Sequence, residues 1–70
     1  MRLSARNQLK AVIETVHHGE VMSTVQVTLP DGQHITAAIT KDSAEGLELA
    51  AGDDVIVVIK STEVMIAKAD

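Results

Sequence analysis

Val55-Ile56-Val57-Val58-Ile59 is apolar at five consecutive positions, and that run limits the folds open to this chain more than any other feature. Successive side chains of a strand point to opposite faces, so a strand apolar on both parities has both faces covered. In a small barrel only one face looks inward. The other face is therefore expected to meet a partner chain. The rest of the composition agrees. Seventy residues make one domain, residues 1–70, with a single marginal core, and such cores are reinforced by disulfides, metals or oligomerisation. There is no cysteine, which removes disulfides and thiolate metal sites and fits a reducing compartment. There is also no Phe, Tyr or Trp although 46% of the chain is hydrophobic. Apolar surface in many small pieces suits sharing among subunits.

Upstream, residues 21–29 put Val21, Val25, Val27 and Leu29 on one parity with mostly polar residues on the other, as in a half-buried strand. Pro30-Asp31-Gly32 ends it in a tight turn, since Pro fixes φ and Gly tolerates positive φ. Residues 33–40 then alternate Ile35, Ala37 and Ile39 against His34, Thr36, Ala38 and Thr40, which predicts a hairpin. Residues 3–16 read as a long first strand ending at the turn His17-His18-Gly19-Glu20. A short helix is expected from Asp42 to about Leu49, with Asp42 and Glu45 spaced as in a capping box although Gly46 weakens it. Ala51-Gly52-Asp53-Asp54 marks a turn before the strand at 55–59, and residues 63–68 supply a last strand. The chain is thus expected to be all-β: a five-stranded OB-like barrel with one short helix between strands three and four.

Two polar segments carry the functional signal. Ser4-Ala5-Arg6-Asn7-Gln8 and Lys60-Ser61-Thr62-Glu63-Val64 are both rich in hydrogen-bond donors: guanidinium, ammonium, amide and hydroxyl. A fully deprotonated tetrahedral anion only accepts hydrogen bonds, so a site for it presents cations, hydroxyls and backbone N–H groups. Glu63 is the one acid nearby. Were the second segment a strand, Lys60 and Thr62 would face opposite to Ser61 and Glu63, and backbone N–H groups or another subunit would have to complete the site.

Ser4-Ala5-Arg6-Asn7-Gln8-Leu9-Lys10, Lys60-Ser61-Thr62-Glu63-Val64-Met65-Ile66 and the length between them resemble the molbindins, small cytoplasmic molybdate-binding proteins made of a single Mop domain. The resemblance covers essentially the full chain. It implies an OB-like barrel of the Mop/TOBE type, a homohexamer built as a trimer of dimers, and molybdate or tungstate held at subunit interfaces. Ala11 departs from the pattern, where glycine is expected after the Leu-Lys pair. The matching segments favour Arg6 and Lys60 as charged donors and Ser4 and Ser61 as hydroxyl donors. Ala5, Asn7, Gln8, Thr40 and Thr62 are secondary members of the candidate set, through backbone geometry or interface contacts.

Composition argues against several other classes. Ten acids against six bases give a net charge of −4, the wrong sign for a nucleic-acid or anionic-membrane footprint. Three of the six bases, Arg6, Lys10 and Lys60, lie in or beside the two segments. A nucleic-acid-binding OB domain stacks bases on aromatic rings, which this chain lacks. No stretch approaches the roughly 20 apolar residues of a membrane helix and the start lacks a signal-peptide pattern, so a soluble cytoplasmic protein is expected. His17, His18 and His34 read as turn or surface residues rather than metal ligands, because adjacent histidines of a strand face opposite ways. Asp53 and Asp54 read as a solvated turn. No nucleophile–base pair or carboxylate pair suggests an enzyme. The expected function is binding and storage of molybdate, with a ligand-sensing module acting through a partner protein as the alternative.

Overall fold

The alternation in residues 21–40 does form a hairpin, and the strands flanking it build one antiparallel sheet. The computed structural model describes residues 2–70: β1 (Asn7–His18), β2 (Met22–Thr28), β3 (His34–Thr40), α1 (Lys41–Gly46) and β4 (Asp54–Ile59), then one turn of 3-10 helix at Ser61–Glu63. The sheet order is β3-β2-β1-β4, all neighbours antiparallel. β1 is the shared strand. Its first half pairs with β4 and its second half with β2.

A β-bulge in β1 decides which side chains meet. Ile13 pairs with Val27 and Thr15 with Gln26, so β1 advances two residues where β2 advances one and the extra residue is Glu14. Before the bulge, Ala11 and Ile13 face inward; after it, the inward residues are Val16 and His18, opposite Val25 and Ser23. Ala11, Ile13, Val25 and Val27 form the core, and Ile35, Ile39, Leu49, Val55 and Val57 pack against it half-buried. Ser23 is the one buried polar residue among the described residues. Its hydroxyl is held 2.6 Å from His18 Nδ1, which removes the penalty of an unpaired buried polar group.

The helix is shorter than expected and differently capped. It spans Lys41–Gly46 instead of 42–49, and Thr40 rather than Asp42 is the N-cap, its Oγ1 accepting from Ser43 N–H at 3.1 Å. It ends in a Schellman arrangement. Leu49 N–H donates to the Ala44 carbonyl (3.1 Å) and Glu48 N–H to that of Glu45 (2.9 Å), with Glu48 in the left-handed region at φ 53°. After Gly52 at φ 93°, the turn docks on β1 through Gly52 N–H to the Ile13 carbonyl (2.8 Å) and Ile13 N–H to that of Asp53 (2.9 Å). The other turn is tied by Asp31, whose carboxyl is held below its usual pKa by hydrogen bonds from the Gln33 side chain and then its backbone N–H.

Among the described residues four strands form, not five, so the sheet is a half-barrel. Residues 64–70 have no ladder partner among the described residues, and a strand exists only by hydrogen bonding to a neighbour. Val64 keeps an extended backbone, φ −89° and ψ 130°, while Met65 and Ile66 are 92% and 90% exposed. β1 also starts later and ends later than expected, at Asn7 and His18 rather than residues 3 and 16. Val21, expected inward, lies outside β2 and is exposed. Ser23 takes the inward parity position nearest it. In β4, Val55, Val57 and Ile59 are half-buried, whereas Ile56 and Val58 remain 41% and 44% exposed.

Candidate oxyanion-binding site

The β1–β4 ladder advances one residue per strand per rung from Val12↔Asp54 to its last rung, Asn7↔Ile59. Arg6, Ala5 and Ser4 therefore leave the sheet from the same rung as Lys60, Ser61 and Thr62. Segments at opposite ends of the chain come to one corner of the sheet. Both then turn. The chain bends at Arg6 and Ser4, and Lys60, extended at φ −65° and ψ 130°, leads into the 3-10 turn, closed by Glu63 N–H on the Lys60 carbonyl at 2.9 Å.

Residues 61–63 form this turn and not a strand, so the two-sided alternation of a strand does not apply to them. A 3-10 helix rotates about 120° per residue, so Ser61, Thr62 and Glu63 radiate in three directions instead of alternating between two. The first N–H groups of such a turn have no intrahelical acceptor, which adds the backbone donors of Ser61 and Thr62 to the corner. Ser4, Arg6, Gln8, Lys60, Ser61 and Thr62 are exposed, and Ala5 and Asn7 half-buried. Neither Arg6 nor Lys60 takes part in the two ion pairs found among the described residues, His34–Glu14 and Lys41–Glu45. The corner has two cations, hydroxyls and backbone donors, with Glu63 as its acid. That donor set matches an oxyanion.

The secondary members of the set separate into two groups. Asn7 and Gln8 belong to the corner, but each spends an amide N–H on a backbone carbonyl: Asn7 Nδ2 donates to Ile59 (3.2 Å) and Gln8 Nε2 to Ala5 (2.7 Å). Thr40 does not belong to it within one chain. It lies on β3, the opposite edge of the sheet from β4, and pairs with Met22 of β2, near the His18 end of β1 and thus about 36 Å of strand contour from Asn7. Its hydroxyl caps α1 and donates to Ser43 Oγ at 2.7 Å.

The histidines lie elsewhere. His18 bonds Ser23, and His34 Nδ1 lies 3.1 Å from Glu14 Oε2 and 3.2 Å from Thr28 Oγ1. No group of three His, Cys, Asp or Glu side chains able to hold a metal ion is found among the described residues. Asp53 is a turn residue, its Oδ2 accepting from Ala50 N–H at 2.9 Å. No helix of the described residues is long and apolar enough to cross a membrane.

The TOBE domain family model matches residues 3–66, and molybdenum-pterin-binding protein 3 of Clostridium pasteurianum is 42% identical over 66 residues, 94% of this chain and 97% of that protein. The chain belongs to the Mop, or molbindin, branch of the TOBE-domain family. This Mop domain is also 43% identical over 65 residues to the molybdenum transport protein ModE of Herbaspirillum seropedicae, covering 93% of this chain and 24% of that protein. It thus spans about a quarter of the length of that longer relative. Among solved structures, a molybdate binding protein from Sporomusa ovata superposes with a TM-score of 0.92 at 37% identity, covering 97% of the Mop domain described here and 100% of that chain. The half-barrel with its short helix is therefore an architecture shared with that relative.

Proposed function

We propose that the chain binds molybdate, and tungstate by the same chemistry, at the corner formed by Ser4, Arg6, Lys60 and Ser61, and that it stores the anion in the cytoplasm. One observation carries the reading: the Asn7↔Ile59 rung is common to both donor-rich segments. The relatives named for molybdenum or molybdate support it. Selectivity follows from charge and size. Molybdate is a dianion at neutral pH and needs only donors, phosphate is partly protonated and wants an acceptor, and sulfate has shorter bonds to oxygen. Each charge-assisted hydrogen bond contributes roughly 1.5–3 kcal/mol net, so several together offset desolvation of the dianion.

In a single chain these donors face water, where charged contacts are worth little. The site therefore functions at an interface, in a homohexamer arranged as a trimer of dimers. Bare apolar surface supports this assembly: Ile56 and Val58 on the outer face of β4, and Val64, Met65 and Ile66 beyond the turn. An open cleft of about 250 Å³ borders the core, lined by Ile13, Val25, Val27, Ile39, Leu49 and Val57 among others.

Calorimetric titration with molybdate, tungstate, sulfate and phosphate, paired with light scattering, tests both halves. The expected results are a wide preference for the first two anions and a mass near six times 7.4 kDa. Sulfate competing on equal terms would sink the anion reading; a monodisperse monomer at micromolar concentration would sink the interface site. A second reading, a sensing module acting through a partner protein, is favoured by the occurrence of this domain as about a quarter of a longer relative. Pull-down with and without molybdate separates it from storage, because only a sensor gains or loses a partner.

A further inference from the structure

Two backbone carbonyls flank the charged donors of the corner: that of Ala5 directly precedes Arg6, and that of Ile59 directly precedes Lys60. An unpaired carbonyl turned toward a dianion repels it, so a site built for a pure acceptor has to keep both occupied or averted. Each accepts an amide N–H from a neighbouring side chain, Ala5 from Gln8 at 2.7 Å and Ile59 from Asn7 at 3.2 Å. The two bonds arise differently. Gln8 reaches back three residues across the bend at Arg6, whereas Asn7 reaches across the last β1–β4 rung to a residue 52 positions away.

Peptide geometry turns these bonds into control of the donors. The peptide unit is planar, and in the trans form its C=O and the following N–H point in opposite directions; no cis bond occurs among the described residues. Fixing the Ala5 carbonyl therefore fixes the direction of the Arg6 N–H, and fixing the Ile59 carbonyl fixes that of the Lys60 N–H. We infer that Asn7 and Gln8 are positioning residues of the oxyanion site, each amide pinning the peptide plane that precedes one of its two cations. The inference rests on the oxyanion reading above. It assigns the amides a role through Arg6 and Lys60, with no contact of their own to the anion.

The test uses Asn7→Leu and Gln8→Met, which keep side-chain size and delete the amide, alongside wild type and Arg6→Ala. Each amide deletion should weaken molybdate binding roughly two- to tenfold, the worth of one neutral hydrogen bond, and should narrow the molybdate-to-sulfate ratio because loosened donors discriminate size less well. Oligomer mass should be unchanged, and the unfolding stability should fall by no more than the loss of one neutral hydrogen bond. In the wild type, adding molybdate should shift the backbone N–H resonances of Arg6 and Lys60 while the side-chain NH₂ resonances of Asn7 and Gln8 stay in place. Side-chain amides that shift as far as the backbone ones would make Asn7 and Gln8 direct ligands and overturn the positioning role. Variants that keep wild-type affinity and selectivity would overturn it as well, provided Arg6→Ala loses affinity. Wild-type binding that does not depend on Arg6 would instead overturn the oxyanion reading at this corner, and the inference with it.

Discussion

On the inner face of β1 and β2, Ile13, Val25 and Val27 are buried against one another, while on the outer face of β4 Ile56 and Val58 stand 41% and 44% exposed and the segment beyond is barer still. The side chains are of the same kind in both regions. Their surroundings differ: the first region is covered by strands of its own chain, and the second is covered by none. Burial of a Val or Ile side chain is worth about 1.5–3 kcal/mol, so the inner region stabilises the single chain and the outer one stabilises only contact with another molecule. The donor corner lies at the end of β4, on the unfinished side. Fold and site thus depend on different parts of the molecule.

Ile13→Ala should have the largest effect, about 2–5 kcal/mol of stability by denaturant unfolding, because it opens a cavity in the buried cluster of Ala11, Ile13, Val25 and Val27. Arg6→Ala and Lys60→Ala come next. Each should weaken molybdate binding about ten- to a hundredfold, equivalent to roughly 1.5–3 kcal/mol, while unfolding and oligomer mass stay at wild-type values. If either variant binds as wild type in calorimetry, the corner is solvated surface and the division between fold and site loses its functional half. Glu48→Gly should raise stability by about 0.5–1 kcal/mol, since it relieves a left-handed residue in the helix cap of the finished side. Ile56→Lys should change monomer stability by less than about 0.5 kcal/mol yet dissociate the assembly in light scattering. Should it unfold the chain as Ile13→Ala does, the two regions are one core and the comparison is broken.

The hairpin of β2 and β3 was legible because period-two alternation and a Pro-Asp-Gly turn agree. The run at 55–59 correctly marked a strand with apolar residues on both faces. The apolarity of the outer face implied a second cover, which no strand among the described residues supplies. The bulge at Glu14 was not legible, since one inserted residue changes the inward parity without changing composition. Residues 63–68 have strand-like character, but pairing depends on an available edge. The two donor segments could be singled out by their residue types, but not the shape of the second, because a short polar sequence suits a 3-10 turn and a strand alike. Thr40 stands apart from the corner within one chain, where its hydroxyl serves the helix cap beside Lys41-Asp42-Ser43. The amide bonds of Asn7 and Gln8 had no signal of their own, although a short amide side chain beside a bend is a known means of holding backbone.

The rung that closes the corner joins residues 52 apart in sequence, whereas both hairpins close over turns of a few residues. Chain closure grows costlier with the length of the loop, and non-local pairings form after local ones. The β1–β2 and β2–β3 hairpins are therefore expected to assemble first and the β1–β4 ladder last. Pulse-labelled amide exchange during refolding should show Val25 and Val27 protected before Leu9 and Val57; the reverse order would refute it. A newly made chain is therefore expected to acquire its donor corner only at the final step of folding, and under the proposed function a partly folded molecule, however well its hairpins are formed, has no means of competing for the anion.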